Sequence, residues 1–259
     1  MLLVLDIGNT EITTGLFHGD RLSSHWRLTT NPDRTPDEWS AAIGAFLIQA
    51  GHSPNEVRAA CLASVAPGVT RSVTDGVEAA TGIRPLAIDG RSALPVVLDV
   101  DEPLSVGADR IVNVLAAAEA YRGGAVVVDF GTATTFDCIT ADGRFIGGAI
   151  MPGIRTSADQ LTRRAAKLPA TELQVPRRVI GRRTEECIQA GVLYGAADAV
   201  DGMVRRIRAE WPDAEHPKIV ATGGLASTVA PHCTTIEAVD ADLTLRGLRI
   251  AAHHLGLHW

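Results

Sequence analysis

Leu2-Leu3-Val4-Leu5 runs into Asp6-Ile7-Gly8-Asn9-Thr10, and 123 residues further on Ala125-Val126-Val127-Val128 runs into Asp129-Phe130-Gly131-Thr132. In both places a short apolar run ends at an Asp-x-Gly turn. Such a run reads as a buried strand, and the turn residues as the tip of a hairpin. A second turn follows each tip, at His18-Gly19-Asp20 and at Ala141-Asp142-Gly143. Strand, acidic turn and hairpin recurring in one order predict a duplicated chain of two α/β lobes, residues 1–115 and 116–259.

The stretches between the repeats fit that reading. After the opening meander (2–6, 12–17 and 21–28), Pro36-Asp37-Glu38 starts a helix to about Ala50, with acidic residues in the first turn, where the helix dipole favours them. A strand is expected over Ala59–Val65, a helix over Val69–Thr81 and a short strand over Pro85–Ile88. A further helix should open at Gly107-Ala108-Asp109-Arg110 and run to about Tyr121. Helical periodicity marks 184–209 and 241–256, and Lys218–Thr222 reads as a strand running into Gly223-Gly224. Strand and helix alternating in this way is the mark of an α/β fold.

Composition narrows the function. A net charge of −6 and a pI of about 5.7 argue against a dedicated nucleic-acid binder, which gathers excess Lys and Arg against phosphate. An acidic protein can still hold a nucleotide through backbone dipoles and a metal. Cys61, Cys138, Cys187 and Cys233 lie far apart with no CxxC pair, so they are expected to be small buried hydrophobes in a reducing compartment. Met1 to Leu5 meets Asp6 without a basic leader, and no apolar run approaches the ~18 residues of a membrane span. The expectation is a cytoplasmic protein with neither nucleic-acid nor membrane partner.

Three segments could carry chemistry. In Asp6-Ile7-Gly8-Asn9-Thr10, a carboxylate at a strand end can hold a hydrated metal, and glycine lets backbone N–H groups approach phosphate oxygens. Taken alone it could be an ordinary hairpin turn, but the near-repeat at Asp129 to Thr135 suggests a pair of phosphate loops. Neither a P-loop nor a Rossmann fingerprint is present. In Gly107-Ala108-Asp109-Arg110, Asp109 could accept a proton from a substrate hydroxyl and Arg110 could grip an anion, or the two could simply open a helix. Gly223-Gly224 would allow close approach to a flat ligand or make a tight turn. His253, His254 and His258 read as a solvated tail.

Taken in order, DIGNT (6–10), VGADRIVN (106–113), VVDFGTATTFD (127–137), GGAIMPG (147–153), IGRRTEECIQAG (180–191), ATGGLA (221–226) and the ending from Val239 to Leu248 resemble the type III pantothenate kinases over nearly the whole chain. That family lies in the sugar kinase, heat-shock protein and actin superfamily. The resemblance implies two duplicated ribonuclease-H-like lobes, each a mixed sheet with flanking helices. It further implies ATP-dependent phosphorylation of pantothenate to 4′-phosphopantothenate, the first step toward coenzyme A. Asp6, Gly8, Asn9 and Thr10 would form the first phosphate loop, with Asp6 near magnesium through water, and Thr132 the second. Asp129 would hold potassium or ammonium. Val100, Gly107, Ala108, Asp109 and Arg110 would bind pantothenate, with Asp109 the base. Thr184 would reach that substrate across a homodimer interface, and Gly223 and Gly224 would lie near adenine.

Two positions depart from the family pattern. Val100 stands where a tyrosine usually borders the pantothenate pocket, which removes contact surface and a hydroxyl. Glu11 follows DIGNT where asparagine is common, and a carboxylate there should be repelled by phosphate unless a cation or an outward orientation screens it. A non-catalytic accessory protein on the same fold is the alternative, although the retained Asp6, Asp109 and Asp129 argue against it. A phosphatase of the superfamily would need a second acidic pair to activate water, and none is legible.

Overall fold

The computed structural model describes residues 1–121, 123–212 and 216–259. The chain divides into two compact units, Met1–Ala116 with Leu243–Trp259, and Ala117–Asp242. The C-terminal segment Leu243–Trp259 falls in the first unit rather than with residues 117–242.

In the first unit, β1 (Leu2–Ile7), β2 (Glu11–His18) and β3 (Arg21–Thr29) form the antiparallel meander. Helix α1 (Pro36–Gln49) leads to β4 (Ala59–Ser64), which pairs parallel with β1. Helix α2 (Pro67–Thr81) leads to β5 (Leu86–Ile88), parallel to β4, giving the order β3-β2-β1-β4-β5. A two-residue strand, β6 (Val97–Leu98), precedes α3 (Ala108–Ala120).

Local chemistry explains the helices. Thr35 and Glu38 form a reciprocal capping box at the start of α1, with Pro36 in its first turn. Gly82 ends α2 in the left-handed conformation, φ +72°. Gly76 lets the two helices close together, since a Cβ there would sit 2.5 Å from Cβ of Trp39. Leu3, Leu5 and Ile7 alternate along β1 and pack with Trp39, Ile43, Leu47, Val69, Val73 and Val77.

The opposite face of β1 is covered by the last helix, α7 (Leu243–His254), and this explains where the C-terminal segment goes. Leu245 and Val4 meet over Gly15, where a Cβ would lie 3.1 Å from each. The Cys61 thiol reaches the Leu248 carbonyl at 3.4 Å. His253, His254 and His258 are exposed as expected, and beyond the helix the Trp259 indole N–H donates to the Gly19 carbonyl at 3.2 Å, which ties the tail to the β2–β3 turn.

The second unit repeats the plan. β7 (Ala125–Phe130), β8 (Ala133–Ile139) and β9 (Arg144–Pro152) form an antiparallel meander. Helices α4 (Ile154–Arg164) and α5 (Thr184–Ala209) lead to β10 (Lys218–Thr222), parallel to β7. The short α6 (Ala226–Val229) leads to β11 (Ala238–Val239), parallel to β10. Five strands of this six-stranded sheet run in the order β9-β8-β7-β10-β11, the same order as the five strands of the first unit. Val126, Val128 and Phe130 pack with Leu193, Ala197, Val200 and Val204 of α5 and with Ile219 and Ala221 of β10. Asp201, buried on α5, accepts the backbone and hydroxyl hydrogens of Thr234 and Thr235 at 2.6–3.0 Å, which anchors the loop before β11. Helix α4 has no counterpart in the sequence reading, because its run Ile154 to Arg164 is mostly polar and only Ile154 and Ala158 are buried.

Cysteine placement departs from expectation at one site. Cys61 and Cys138 are buried and Cys233 is half-buried, but Cys187 is exposed in the first turn of α5. Burial raises the Cys61 thiol far above its ordinary value, and burial with nearby Asp201 and Asp198 pushes Cys233 up to about 12. Both are poor nucleophiles.

Candidate active site

The first loop is built so that its carbonyls are used and its tip is exposed. Gly8 N–H donates to the Glu11 carbonyl at 3.0 Å, closing the turn between β1 and β2. Just beyond β3, Thr30 donates its hydroxyl to the Gly8 carbonyl at 2.7 Å and its amide to the Thr10 carbonyl at 2.9 Å. Asn9 and Thr10 are exposed, Asp6 is half-buried, and its Oδ1 is out of solvent reach. Glu11 points outward and lies 3.9 Å from Arg27, which meets the condition its charge imposed.

The second loop is held in the same way. Gly131 N–H donates to the Ala133 carbonyl at 3.0 Å. Just beyond β9, Gly153 N–H and the Thr156 hydroxyl both donate to the Thr132 carbonyl, at 3.1 and 2.7 Å. A Cβ at Gly153 would lie 2.3 Å from that carbonyl, so only glycine lets the segments meet. Thr30, Gly153 and Thr156 were not among the expected site residues, because each acts through a hairpin distant in sequence.

Asp109 stands at the C-terminal end of β1 and β4. Val65 N–H donates to the Ile7 carbonyl at 3.0 Å, and a Cβ on Gly107 would lie 3.3 Å from the Val65 side chain and 2.5 Å from Oδ1 of Asp109. The carboxylate thus folds over Gly107, whose carbonyl accepts the Ile111 amide as α3 begins. Burial raises the Asp109 pKa above its usual 3.8, against the pull of the Arg110 amide, which donates to Oδ1 at 2.8 Å, and of the Arg110 charge. A carboxylate raised this way is a better proton acceptor near neutrality. One turn on, buried Asn113 accepts the Thr244 hydroxyl at 2.7 Å, and a Cβ on Gly247 would lie 2.0 Å from the Val112 carbonyl. So α7 fixes the helix that carries Asp109.

The first unit therefore gathers Asp6, Gly8, Asn9 and Thr10 with Gly107, Ala108, Asp109 and Arg110 at one end of its sheet. Val100 is half-buried between β6 and α3, near where Pro103 packs its carbonyl on Gly90. In the second unit, Asp129 and Gly223 meet: Gly223 has φ +90°, and a Cβ there would lie 2.3 Å from Oδ1 of Asp129. Thr132 and Gly224 are exposed at the same strand ends. Thr184 is exposed in the first turn of α5.

Two units of one topology, each with an Asp-x-Gly hairpin between its first two strands, make the duplicated α/β fold expected of the sugar kinase, heat-shock protein and actin class. The solved activator of 2-hydroxyisocaproyl-CoA dehydratase from Clostridium difficile, with bound ADPNP, has this fold at TM-score 0.58 and 14% identity, covering 98% of this chain and 93% of that one. A solved protein from Campylobacter jejuni, described as a conserved putative Baf family transcriptional activator, matches at TM-score 0.59 and 18% identity, over 97% of this chain and 98% of that one.

The type III pantothenate kinase family model matches residues 2–206, and this chain belongs to that family. The type III pantothenate kinase of Thermomicrobium roseum is 47% identical over 97% of this chain and 96% of its own length. That of Geobacter sulfurreducens is 44% identical over 96% and 97%.

Proposed function

We propose that this enzyme transfers the γ-phosphoryl group of ATP to the primary hydroxyl of pantothenate, giving 4′-phosphopantothenate, the first step toward coenzyme A. The observation that carries this reading is Asp109, raised by burial and folded over Gly107 beside the first phosphate loop. Its carboxylate orients the hydroxyl and takes its proton, and Arg110 anchors the acid end of the substrate. Phosphoryl transfer runs through a loose transition state, so orientation and charge neutralisation matter more than strong basicity.

The exposed tips at Asn9-Thr10 and Thr132 bind phosphate oxygens, and Gly223-Gly224 border the adenine. Asp6 fits a hydrated magnesium ion, since its carboxylate ends a buried strand directly before the glycine turn. Asp129 fits a monovalent cation, since its carboxylate stands at the strand ends between glycine backbone at Gly131 and Gly223. When bound, the two cations neutralise charge on the phosphates. Thr184 reaches the pantothenate of a partner subunit in a homodimer, and the protein works in the cytoplasm. Among the described residues, no helix is long and apolar enough to cross a membrane.

The test is ADP release with ATP and magnesium, with and without pantothenate, in sodium and then in potassium or ammonium. Turnover should require pantothenate and the larger cation. Turnover without pantothenate, or none in any salt, would overturn the reading.

A further inference from the structure

We propose that Thr222 and Thr135 flank Asp129 as two further oxygen ligands, completing a cation site in a row across β10, β7 and β8. The inference rests on the monovalent-cation reading of Asp129 and extends it to residues with no role so far.

Register supplies the first argument. Asp129 pairs with Thr222 on one side and with Thr135 on the other. Paired residues in a sheet present side chains to the same face, and neighbouring strands lie about 4.8 Å apart. Three oxygen-bearing side chains therefore stand in line on the face opposite Val128 and Phe130. The carboxylate is central, a hydroxyl to each side.

The state of each hydroxyl supplies the second. Thr222 is 1% exposed, and its Oγ1 has no hydrogen-bond partner among the described residues. A buried hydroxyl left unsatisfied is costly, so its retention beside a carboxylate calls for a ligand. Thr135 donates its hydrogen to Oδ2 of the fully buried Asp137 at 3.0 Å. Having spent its proton there, its oxygen faces other neighbours only through lone pairs. Asp137 is thus the positioning residue that turns Thr135 into a ligand. Neutral hydroxyls around one carboxylate suit a large monovalent ion better than magnesium, which holds its waters and prefers a tight octahedron.

The experiment follows the thermal unfolding midpoint as potassium chloride replaces sodium chloride at constant ionic strength, with ADP absent and present. It uses the full chain and Thr222→Val, Thr135→Val and Asp129→Asn. Each valine keeps the shape and removes one hydroxyl, and midpoints in sodium report whether each variant folds. The parent should gain stability in potassium. The valine variants should need about tenfold more potassium or above for half the gain, and Asp129→Asn should lose the gain. Valine variants that respond like the parent, with Asp129→Asn silent, would overturn the row and leave Asp129 as the cation residue. A parent without a potassium response, or an Asp129→Asn variant that keeps it, would overturn the cation reading itself.

Discussion

The two units share a strand order, two antiparallel and two parallel pairings, and a hairpin loop whose carbonyls are tied from just beyond the third strand. They differ at the end of the fourth strand. In the first unit β4 ends at Ser64, and the side chain of the next residue, Val65, lies 3.3 Å from where a Cβ on Gly107 would stand. In the second, β10 ends at Thr222-Gly223, and the missing Cβ makes room for the Asp129 carboxylate. The scaffold is shared, and the strand ends differ in what they place beside the acidic residue: the Val65 side chain borders Gly107 in the first unit, whereas Gly223 gives way to Asp129 in the second.

Removing the proposed proton acceptor is the harshest way to break the comparison. Asp109→Asn should lower kcat by about 10²–10⁴-fold while ATP still binds, as measured by steady-state kinetics and nucleotide titration. In the parent, kcat/KM should fall on the acid side with an apparent pKa above 3.8. The stability effect has the opposite sign. Because the folded-state pKa exceeds the unfolded one, ionising Asp109 weakens the fold as pH rises from the ordinary value through the raised one. At neutral pH, Asp109→Asn should therefore unfold no lower than the parent; a clear drop in Tm would contradict the assigned burial.

Glycine substitutions probe the strand ends and loops. Gly223→Ala meets Asp129 at 2.3 Å and carries φ +90°, so the conformation alone costs about 1–2 kcal/mol before the clash. Gly44→Ala, on α1 with nothing within 4 Å of the added Cβ, should instead stabilise by about 0.5–1 kcal/mol. Denaturant unfolding distinguishes the signs. Gly8→Ala meets the Glu11 carbonyl at 2.9 Å, whereas Gly131→Ala makes only ordinary contacts at 3.5 and 3.7 Å. The ATP KM should therefore rise more for the first loop than for the second, and equal effects would mean that the loops are not distinguished by their backbone packing.

The smallest expected effect lies at the pantothenate pocket. Val100→Tyr should lower the KM for pantothenate several-fold, since an aromatic ring restores contact area and a hydroxyl. An unchanged KM would remove Val100 from the pocket.

Much of this was legible before any coordinates, and for a definite reason. Asp6-x-Gly8 and Asp129-x-Gly131 are local patterns, and a buried strand ending at an acidic glycine turn needs only neighbouring residues to be recognised. Helix α5 and strand β10 were read to their observed ends because periodicity and the glycine pair are also local. Helix α4 escaped because its polar run lacks an apolar stripe. Thr222 was visible only as the residue before Gly223-Gly224, because its meaning depends on pairing with Asp129 across a crossover.

By itself, the sequence determined the duplication, the two loops, the Asp109 segment and the family. Tertiary structure alone decided that α7 returns to the first unit and pins α3, that Gly223 yields space to Asp129, and that Thr222, Asp129 and Thr135 share one line. Periodicity reports which face of an element is buried, but register and packing join residues separated by dozens of positions. No local pattern encodes which partner a strand or helix will meet.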